Sequence, residues 1–243
     1  MDSGYYAASA GLRTQTEALD IVANNLANLN TTGYRGQQPT FHSLLATAHA
    51  TSDALNRVIN DFSVLGGSRL DLSPGNLTRT GNPLDLGLEG KGFFVVQKQG
   101  VTVYTRNGNF QPSAKGQLIT SDGDLVLGEQ GAITLPSGVV SVSADGTLSV
   151  DGAVAAKLRI VEFPPDAALV PVGSSYYSGP DQSAQPAGAT YVRQDMLESA
   201  NVNAVSAMVD LLSVQRQTEM LGRALSSFDS TFNRIAADDL PRV

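Results

Sequence analysis

Apolar residues recur at alternating steps of four and three at both ends of the chain, and the middle lacks this spacing. Such spacing is a heptad pattern, which keeps one apolar stripe of a helix facing a partner helix. It predicts a first helix from about Ser3 to Asn28 and a second from near Glu198 or Asn201 to about Ala237. The stripe of the first is Ala8, Leu12, Gln15, Leu19, Val22, Leu26 and Leu29. The stripe of the second is Ala207, Leu211, Val214, Thr218, Leu221, Leu225, Phe228, Phe232 and Ile235.

The second predicted helix carries another apolar stripe, about half a turn away from the first. It consists of Val202, Val205, Val209 and Leu212. A helix that is apolar on two sides is buried on two sides. The chain offers no third long helix, so we expect neighbouring subunits to cover the extra face. The alternative is that both helices simply cover the core of their own chain.

Between the two helices, short apolar runs alternate with turn dipeptides from about residue 78 to residue 193. Asn107-Gly108, Asp122-Gly123, Asp145-Gly146 and Asp151-Gly152 are typical of tight hairpins, whose central residues take positive φ. Residues 36–77 predict an extended or partly helical connector, with helical fragments around Phe41–Ala48 and Leu55–Ile59.

These patterns together predict an α+β fold, in which long N- and C-terminal helices pair into a coiled-coil layer around a central all-β, hairpin-rich domain. The predicted domains are a discontinuous helical polymerisation domain (residues 1–35 and 194–243), the connector (36–77) and the central β domain (78–193).

Composition favours a subunit of an assembly. Hydrophobic residues make up 42% of the 243 residues and charged residues only 16%, against about 25% in typical soluble domains. A net charge of −7 with no basic stripe argues against nucleic acid as a partner. No stretch approaches the ~20 apolar residues needed to span a membrane. The first six residues lack the basic and apolar regions of a secretory signal peptide.

Candidate chemistry is sparse along the whole chain. Asp122-Gly123-Asp124 lacks the further oxygen ligands and closing Glu of a calcium loop. His42 and His49 are about 10 Å apart if helical, which is too far to share a metal ion. There is no cysteine and no nucleophile elbow or phosphate loop. The sequence therefore predicts no catalytic residue, metal, cofactor or small-molecule substrate.

Four segments resemble the signatures of the bacterial flagellar rod and hook proteins: residues 23–35, 81–96, 104–110 and 198–205. They span both ends and the middle, in the order of that family. The length and the run Asn82-Pro83-Leu84-Asp85-Leu86 are most similar to the family's proximal-rod member, with the distal-rod member or a hook-basal-body subunit as the alternative.

The resemblance implies a structural, non-enzymatic subunit of the basal-body rod, which is a tubular shaft that transmits torque and encloses the export channel. It implies terminal helices paired in a coiled-coil inner layer, and partners that are other rod subunits, copies of the same chain and the flagellar type III export apparatus. Export by that route needs no cleaved signal peptide. The competing hypotheses are a secreted β-domain glycan binder or enzyme that oligomerises by its helices, and a peripheral membrane protein, whose helices would need a basic face.

Amides of Asn24, Asn25 and Asn28 are expected to bond neighbouring backbones or one another and so fix the packing register, the alternative being that Asn28 or Asn30 caps the helix end. The residues predicted to pack between subunits are Leu12, Leu19, Val22, Asn24, Asn25, Leu26, Asn28, Leu29, Val205, Val209, Leu211, Leu212, Leu221, Leu225, Phe228 and Phe232.

Overall fold

The computed structural model of the chain describes residues 2–43, 63–164, 167, 169–173 and 175–239. Helix α1 spans Asp2–Ala27 and helix α2 spans Ala204–Asp239, so both predicted helices are confirmed to within a few residues. The side chain of Asn203 accepts hydrogen bonds from the N–H groups of Val205 and Ser206, at 3.0 and 3.1 Å. Asn203 is thus the N-cap that fixes where α2 begins.

Strands occupy most of the described chain between the two helices. They are β1 (Gln37–Ser43), β2 (Ser63–Leu70), β3 (Leu77–Arg79), β4 (Leu86–Glu89), β5 (Phe93–Lys98), β6 (Val101–Thr105), β7 (Phe110–Pro112), β8 (Leu118–Thr120), β9 (Leu125–Gly128), β10 (Gly131–Ala132), β11 (Val140–Val142), β12 (Thr147–Val150), β13 (Ala153–Lys157), β14 (Ile160–Glu162), β15 (Val170–Pro171), β16 (Tyr176–Ser178), β17 (Gln185–Pro186), β18 (Tyr191–Gln194) and β19 (Met196–Glu198). A short 3-10 helix lies at Asp181–Ser183.

The largest sheet contains ten strands, with the path β15-β16-β6-β5-β9-β8-β7; β10 is added on β9, β14 on β5 and β17 on β14. A three-stranded sheet, β11-β12-β13, and the pairs β18-β4, β19-β3 and β1-β2 complete the described pairings. The pairs β19-β3 and β18-β4 matter most below, because they bring the residues that precede α2 against the beginning of the β region.

The core of the β region lies on both sides of β5, because successive side chains of a strand point to opposite faces. Phe94 belongs to one apolar cluster with Phe110, Leu118 and Leu148. Phe93 and Val95 belong to another cluster, which includes Tyr104, Val161, Phe163 and Tyr177. This two-sided burial explains the unbroken apolar run of β5, since a strand that is exposed on one face would alternate with polar residues.

The described part of the connector contains extended strands, which is the first of the two alternatives predicted for it, and not a helix. Phe41 lies in β1, and β2 runs through Gly66 and Gly67; the two strands pair with each other. Residues 44–48 of the first predicted helical fragment and all of the second lie outside the described residues. Three predicted hairpin glycines, Gly123, Gly146 and Gly152, have positive φ, whereas Gly108 does not.

The described residues divide into two compact units. One comprises the described parts of 1–26, 37–69 and 203–243, which include α1, α2 and the β1-β2 pair. The other comprises residues 27–36 and the described parts of 70–202, which include all the remaining strands. The segment 27–36 therefore folds with the β region, although it follows α1 directly in the chain.

The predicted fold class was wrong in its coiled-coil layer. The described residues contain one helix at each end and a large, mostly β centre, and no layer of paired long helices. The most buried positions of α1 are Ala8, Thr14, Ala18 and Val22. The larger predicted residues Leu12 and Leu19 are only partly buried. A coiled coil inserts large side chains into holes between helices, and small or polar residues cannot supply them. Heptad spacing alone was therefore not enough to predict a coiled coil.

Candidate functional site: a buried arginine–glutamate cluster and an exposed helix face

A buried cluster of three charged side chains joins distant parts of the β unit. Arg35 lies in the segment that follows α1, Arg106 directly follows β6, and Glu198 ends β19. Nη2 of Arg35 donates to Oε1 of Glu198 at 2.6 Å, and Nη1 of Arg106 donates to Oε2 of the same carboxylate at 3.1 Å. The side chains of Arg35 and Glu198 are fully buried, and that of Arg106 is 1% exposed.

Arg106 and Glu198 also form hydrogen bonds with main-chain groups. Nη2 of Arg106 donates to the carbonyl of Gly90 at 2.7 Å, and Nη1 is 3.5 Å from the carbonyl of Leu88. The guanidinium carbon of Arg106 also lies 5.0 Å from the centre of the Phe93 ring, a cation–π distance. Oε1 of Glu198 accepts a second bond, from the N–H of Gly75 at 2.8 Å.

The cluster has an excess of positive charge, because two guanidinium groups share one carboxylate. Nε and Nη1 of Arg35 and Nε of Arg106 have no hydrogen-bond partner among the described residues. Burial is the main reason that the pKa of Arg106 is lowered to about 10; Glu198 opposes the shift and the charge of Arg35 adds to it. Arg106 is therefore still charged at neutral pH, and Glu198 is the one carboxylate of the described chain that hydrogen-bonds to both buried guanidinium groups.

Backbone hydrogen bonds also hold residues 33–36 next to the buried cluster. The N–H of Gly33 donates to the carbonyl of Glu198 at 2.8 Å, and the N–H of Gly36 donates to Oδ1 of Asn201 at 2.7 Å. The amide of Asn201 in turn donates to the carbonyl of Asp71 at 2.8 Å. The chain that leaves α1 and the chain that leads to α2 are thus bonded to each other within the β unit.

Comparison with known proteins assigns the chain to a family. A family model described as flagella basal body rod protein matches residues 6–35. A model of the flagellar hook protein FlgE/F/G D1 domain matches residues 87–150, and one of the flagellar basal body rod FlgEFG protein C-terminal region matches residues 193–237.

Similar curated proteins extend over the full length. The flagellar basal-body rod protein FlgF of Caulobacter vibrioides is 31% identical over 100% of both chains. The chain belongs to the flagellar basal-body rod protein family. The rod protein FlgG of Agrobacterium fabrum is 31% identical over 91% of this chain and 94% of its own, and FlgF of Escherichia coli is 31% identical over 96% and 97%. The chain is accordingly a structural subunit of the rod of the flagellar basal body, as the resemblance of its motifs predicted.

The three members of the buried cluster lie in three of the four rod-family signature segments, 23–35, 104–110 and 198–205. Sequence analysis identified these segments but gave no role to Arg35, Arg106 or Glu198. The available signal was the presence of single charges in otherwise apolar or Gly- and Asn-rich surroundings. That signal does not say which charges pair, because the partners are 163 and 92 residues apart in the chain.

The residues predicted to pack between subunits differ in how far they are buried in this rod subunit. In α1 and the turn after it, Val22 is buried, Asn24 is exposed, and the others are partly buried: Leu12, Leu19, Asn25, Leu26, Asn28 and Leu29. In α2 the exposed ones are Val205, Val209, Leu212 and Phe228, and the partly buried ones are Leu211, Leu221 and Leu225. The side chain of Phe232 lies outside the described part. Whether these residues contact other subunits stays a prediction.

One of the predicted register-fixing asparagines is engaged within its own chain. Nδ2 of Asn25 donates to the carbonyl of Gln37 at 2.8 Å, and Oδ1 of Asn25 accepts from the N–H of Gln37 at 2.9 Å. The Asn25 amide therefore satisfies both polar groups of one backbone residue and holds the start of β1. At the end of α1, the carbonyl and side chain of Asn28 accept bonds from Thr31 at 3.0 Å each, as in a local turn.

The described residues of the rod subunit hold no group of three or more His, Asp or Glu side chains placed to bind a metal ion. In the same residues, neither helix combines the length and apolar character needed to cross a membrane.

Tyr177 couples the buried cluster to pH. Its hydroxyl accepts a hydrogen bond from the N–H of Arg35 at 2.8 Å. Burial raises the pKa of Tyr177 from 10.0 to about 12, although the Arg35 N–H and its charge oppose the rise. Because the folded-state pKa is raised, the stabilisation from the neutral phenol is complete below pH 10 and is lost as the pH rises through 12.

We expect the free energy of unfolding of the wild type to fall between pH 10 and pH 12, and to fall less steeply in Tyr177→Phe. Urea unfolding at a series of pH values measures both slopes. Tyr191→Phe is the matched control, because Tyr191 is 54% exposed, and it should keep the wild-type slope. The lowered pKa of Arg106 acts in the opposite direction, and because the charge of ionised Tyr177 raises that pKa, its loss in Tyr177→Phe flattens the slope further. Equal slopes for Tyr177→Phe and the wild type would contradict the raised pKa of Tyr177.

Proposed function

We propose that this chain is a subunit of the proximal part of the rod, and that it assembles with other rod subunits and with copies of itself into the tubular shaft that transmits torque and encloses the export channel. In this role it performs no catalytic step. The match with a FlgF relative over 100% of both chains supports this assignment within the rod family. The proposal also includes export through the flagellar type III apparatus, which is the route that rod-family membership implies.

The observation that carries the assembly proposal is the exposed apolar face of α2, which consists of Val205, Val209, Leu212 and Met220. The exposed fractions of Val205 and Val209 are 72% and 60%, and Leu212 and Met220 are also more than half exposed. These positions lie on the opposite side of the helix from the partly buried stripe that includes Ala207, Leu211 and Leu221. Val205, Val209 and Leu212 belong to the second apolar stripe of the sequence, which is expected to be covered by neighbouring subunits.

An apolar face of this kind is unfavourable in water. Soluble monomers rarely expose contiguous apolar patches, and such patches mark interaction sites. Each buried Val, Leu or Met side chain contributes about 1.5–3 kcal/mol relative to exposure. Four of them therefore supply a substantial driving force for packing against another subunit, even after the entropic cost of association. Low overall charge points the same way, because 16% charged residues leave few groups to solvate a free surface.

The assembly proposal predicts that Val209→Asp stops rod assembly in cells while the purified subunit keeps its stability. The reason is that an aspartate on this face is solvated in the monomer but loses that solvation in a packed interface. Electron microscopy of basal bodies and swimming in soft agar measure assembly, and urea unfolding measures stability.

Val209→Leu is the matched control, since it keeps an apolar side chain at the same helical position and should assemble and swim normally. Complete rods and normal swimming with Val209→Asp would refute the interface. A large loss of stability in the purified variant would also refute it, because Val209 would then be part of the subunit's own core.

The distal part of the rod is the second candidate position, because FlgG relatives match this chain with similar identity. The two positions differ in where assembly stops. Deleting the gene of a proximal subunit is expected to leave no distal rod, whereas deleting a distal subunit leaves a short proximal stub in electron micrographs of basal bodies.

A further inference from the structure

The two arginines of the buried cluster depend on Glu198 to different degrees. Arg106 also donates to the carbonyls of Leu88 and Gly90 and lies against the ring of Phe93. The side chain of Arg35, by contrast, has no hydrogen-bond partner other than Glu198 in the described part of the chain. Without the Glu198 carboxylate, Arg106 keeps two carbonyl acceptors and the contact with the Phe93 ring, whereas the Arg35 side chain has no acceptor left among the described residues.

Glu198 itself is placed by contacts that do not involve Arg35. It is the last residue of β19, which pairs with β3 through Met196↔Arg79, Leu197↔Thr78 and Glu198↔Leu77. Its carboxylate also accepts from the N–H of Gly75 at 2.8 Å and from Arg106 at 3.1 Å. The acceptor for Arg35 is therefore held in place by contacts that do not depend on Arg35.

We propose that residues 31–36 form a latch, which closes last onto a preformed socket made by Glu198, Arg106, Gly75, Asn201 and Tyr177. Glu198 is the positioning residue on which closure depends, and the dependence runs in one direction. Loss of Glu198 releases the latch, whereas loss of Arg35 leaves the socket and the chain before α2 in place. This inference concerns the isolated subunit and does not rest on the proposed position in the rod.

The energetic argument compares an ion pair with neutral hydrogen bonds. Without Glu198, the latch would still have the bonds from the N–H groups of Gly33, Arg35 and Gly36. Each such bond makes only a small net contribution, because water replaces it when the latch opens. A buried guanidinium with no countercharge costs more than these bonds provide, and opening returns Arg35 to water. The open latch is therefore the favoured state of a protein that lacks the carboxylate.

Tryptic cleavage of the peptide bond after Arg35 tests the latch in the full-length protein. In the wild type this bond is protected, since Arg35 is fully buried. In Glu198→Gln we expect cleavage after Arg35 to accelerate on the order of 100-fold, while the bond after Arg106 stays protected. Mass spectrometry of the fragments at early times identifies each cut.

Glu89→Gln is the matched control. Glu89 and Arg193 form an ion pair at 2.6 Å, the same distance as in the cluster, but both side chains are about half exposed. Because exposed pairs contribute little, this variant should keep the wild-type cleavage pattern. Unchanged cleavage after Arg35 in Glu198→Gln would overturn the proposal. Equally fast cleavage after Arg35 and Arg106 would also overturn it, since the socket would then have unfolded with the latch.

Amide hydrogen exchange tests the direction of the dependence. In Arg35→Gln the N–H of Ser199, which donates to the carbonyl of Asn76 at 2.9 Å, should keep its wild-type protection. In the double variant Arg35→Gln/Glu198→Gln the latch itself carries no unpaired charge, and Arg106 keeps the carbonyls of Leu88 and Gly90 as acceptors. The N–H of Gly36 should then recover protection to within about 10-fold of the wild type, whereas in Glu198→Gln alone it should exchange on the order of 100-fold faster. Loss of Ser199 protection in Arg35→Gln, or no recovery in the double variant, would refute a one-way latch.

Discussion

Replacing Gly108 with Ala is expected to destabilise the protein by about 3 kcal/mol or more. A Cβ atom at this position would lie 1.7 Å from the carbonyl oxygen of Leu86 and 2.7 Å from its carbonyl carbon. Gly108 is buried, and the Leu86 N–H donates to its carbonyl at 3.0 Å, so the two backbones cannot separate without losing this bond. The clash is with main-chain atoms, which cannot rotate away as a side chain can. Urea unfolding of the purified protein measures the loss.

Gly188→Ala is the control for this substitution. A Cβ at Gly188 meets nothing within 4 Å, and neither glycine has a left-handed φ, so neither alanine meets left-handed strain and only that at Gly108 meets a clash. We expect Gly188→Ala to stay within about 1 kcal/mol of the wild type. A similar stability for the two variants would mean that the strand bearing Leu86 yields easily.

Gly108 also shows how a local pattern can identify a residue for the wrong reason. Asn107-Gly108 predicted a tight hairpin with positive φ, and that prediction was wrong for Gly108. Instead, Oδ1 of Asn107 accepts from the N–H of Asn109 at 3.1 Å, and the chain passes close to Leu86. The requirement for glycine comes from a residue 22 positions away, which a dipeptide cannot encode. By contrast, Gly123, Gly146 and Gly152 have positive φ, as their local sequences predicted.

The two helices show the same limitation: a local sequence pattern does not predict contacts with distant parts of the chain. Apolar spacing predicted both helices and identified a second apolar stripe on α2, because helix periodicity is a local property. It did not predict which face of α1 is the most buried, since that depends on where a neighbour approaches. At Gly11, a Cβ would lie 3.5 Å from a methyl group of Leu221. Leu221 of α2 therefore approaches α1 at Gly11, which is not part of the stripe predicted for α1.

The buried cluster was beyond any pattern in the sequence. Its three charges lie in segments that sequence analysis singled out, but their pairing depends on the β19-β3 ladder and on the path of residues 33–36. A charged residue in an apolar segment is more often solvated than buried. Only the fold shows that Arg35 and Glu198 are fully buried and in contact.

Gly33→Ala is expected to lower the free energy of unfolding by about 2 to 3 kcal/mol and to open the latch. Gly33 has φ +69°, and a Cβ there would lie 2.3 Å from the carbonyl carbon of Arg106 and from the nitrogen of Asn107. Alanine therefore meets both a left-handed backbone and a main-chain clash. Opening of residues 31–36 relieves both, at the cost of the latch contacts, and so limits the loss. Urea unfolding and tryptic cleavage after Arg35 measure the two effects.

Gly81→Ala separates the clash from the backbone conformation. Gly81 has φ +78°, but a Cβ there meets nothing within 4 Å, so alanine meets only the left-handed strain, about 1–2 kcal/mol. We expect protection of Arg35 to be unchanged in Gly81→Ala and lost in Gly33→Ala. Loss of protection only in Gly33→Ala would tie the glycine of the rod-family signature to the seating of Arg35 on Glu198. Equal stability and equal protection in the two variants would mean that residues 31–36 can close without the close approach to Arg106, and the latch would then depend on charge alone.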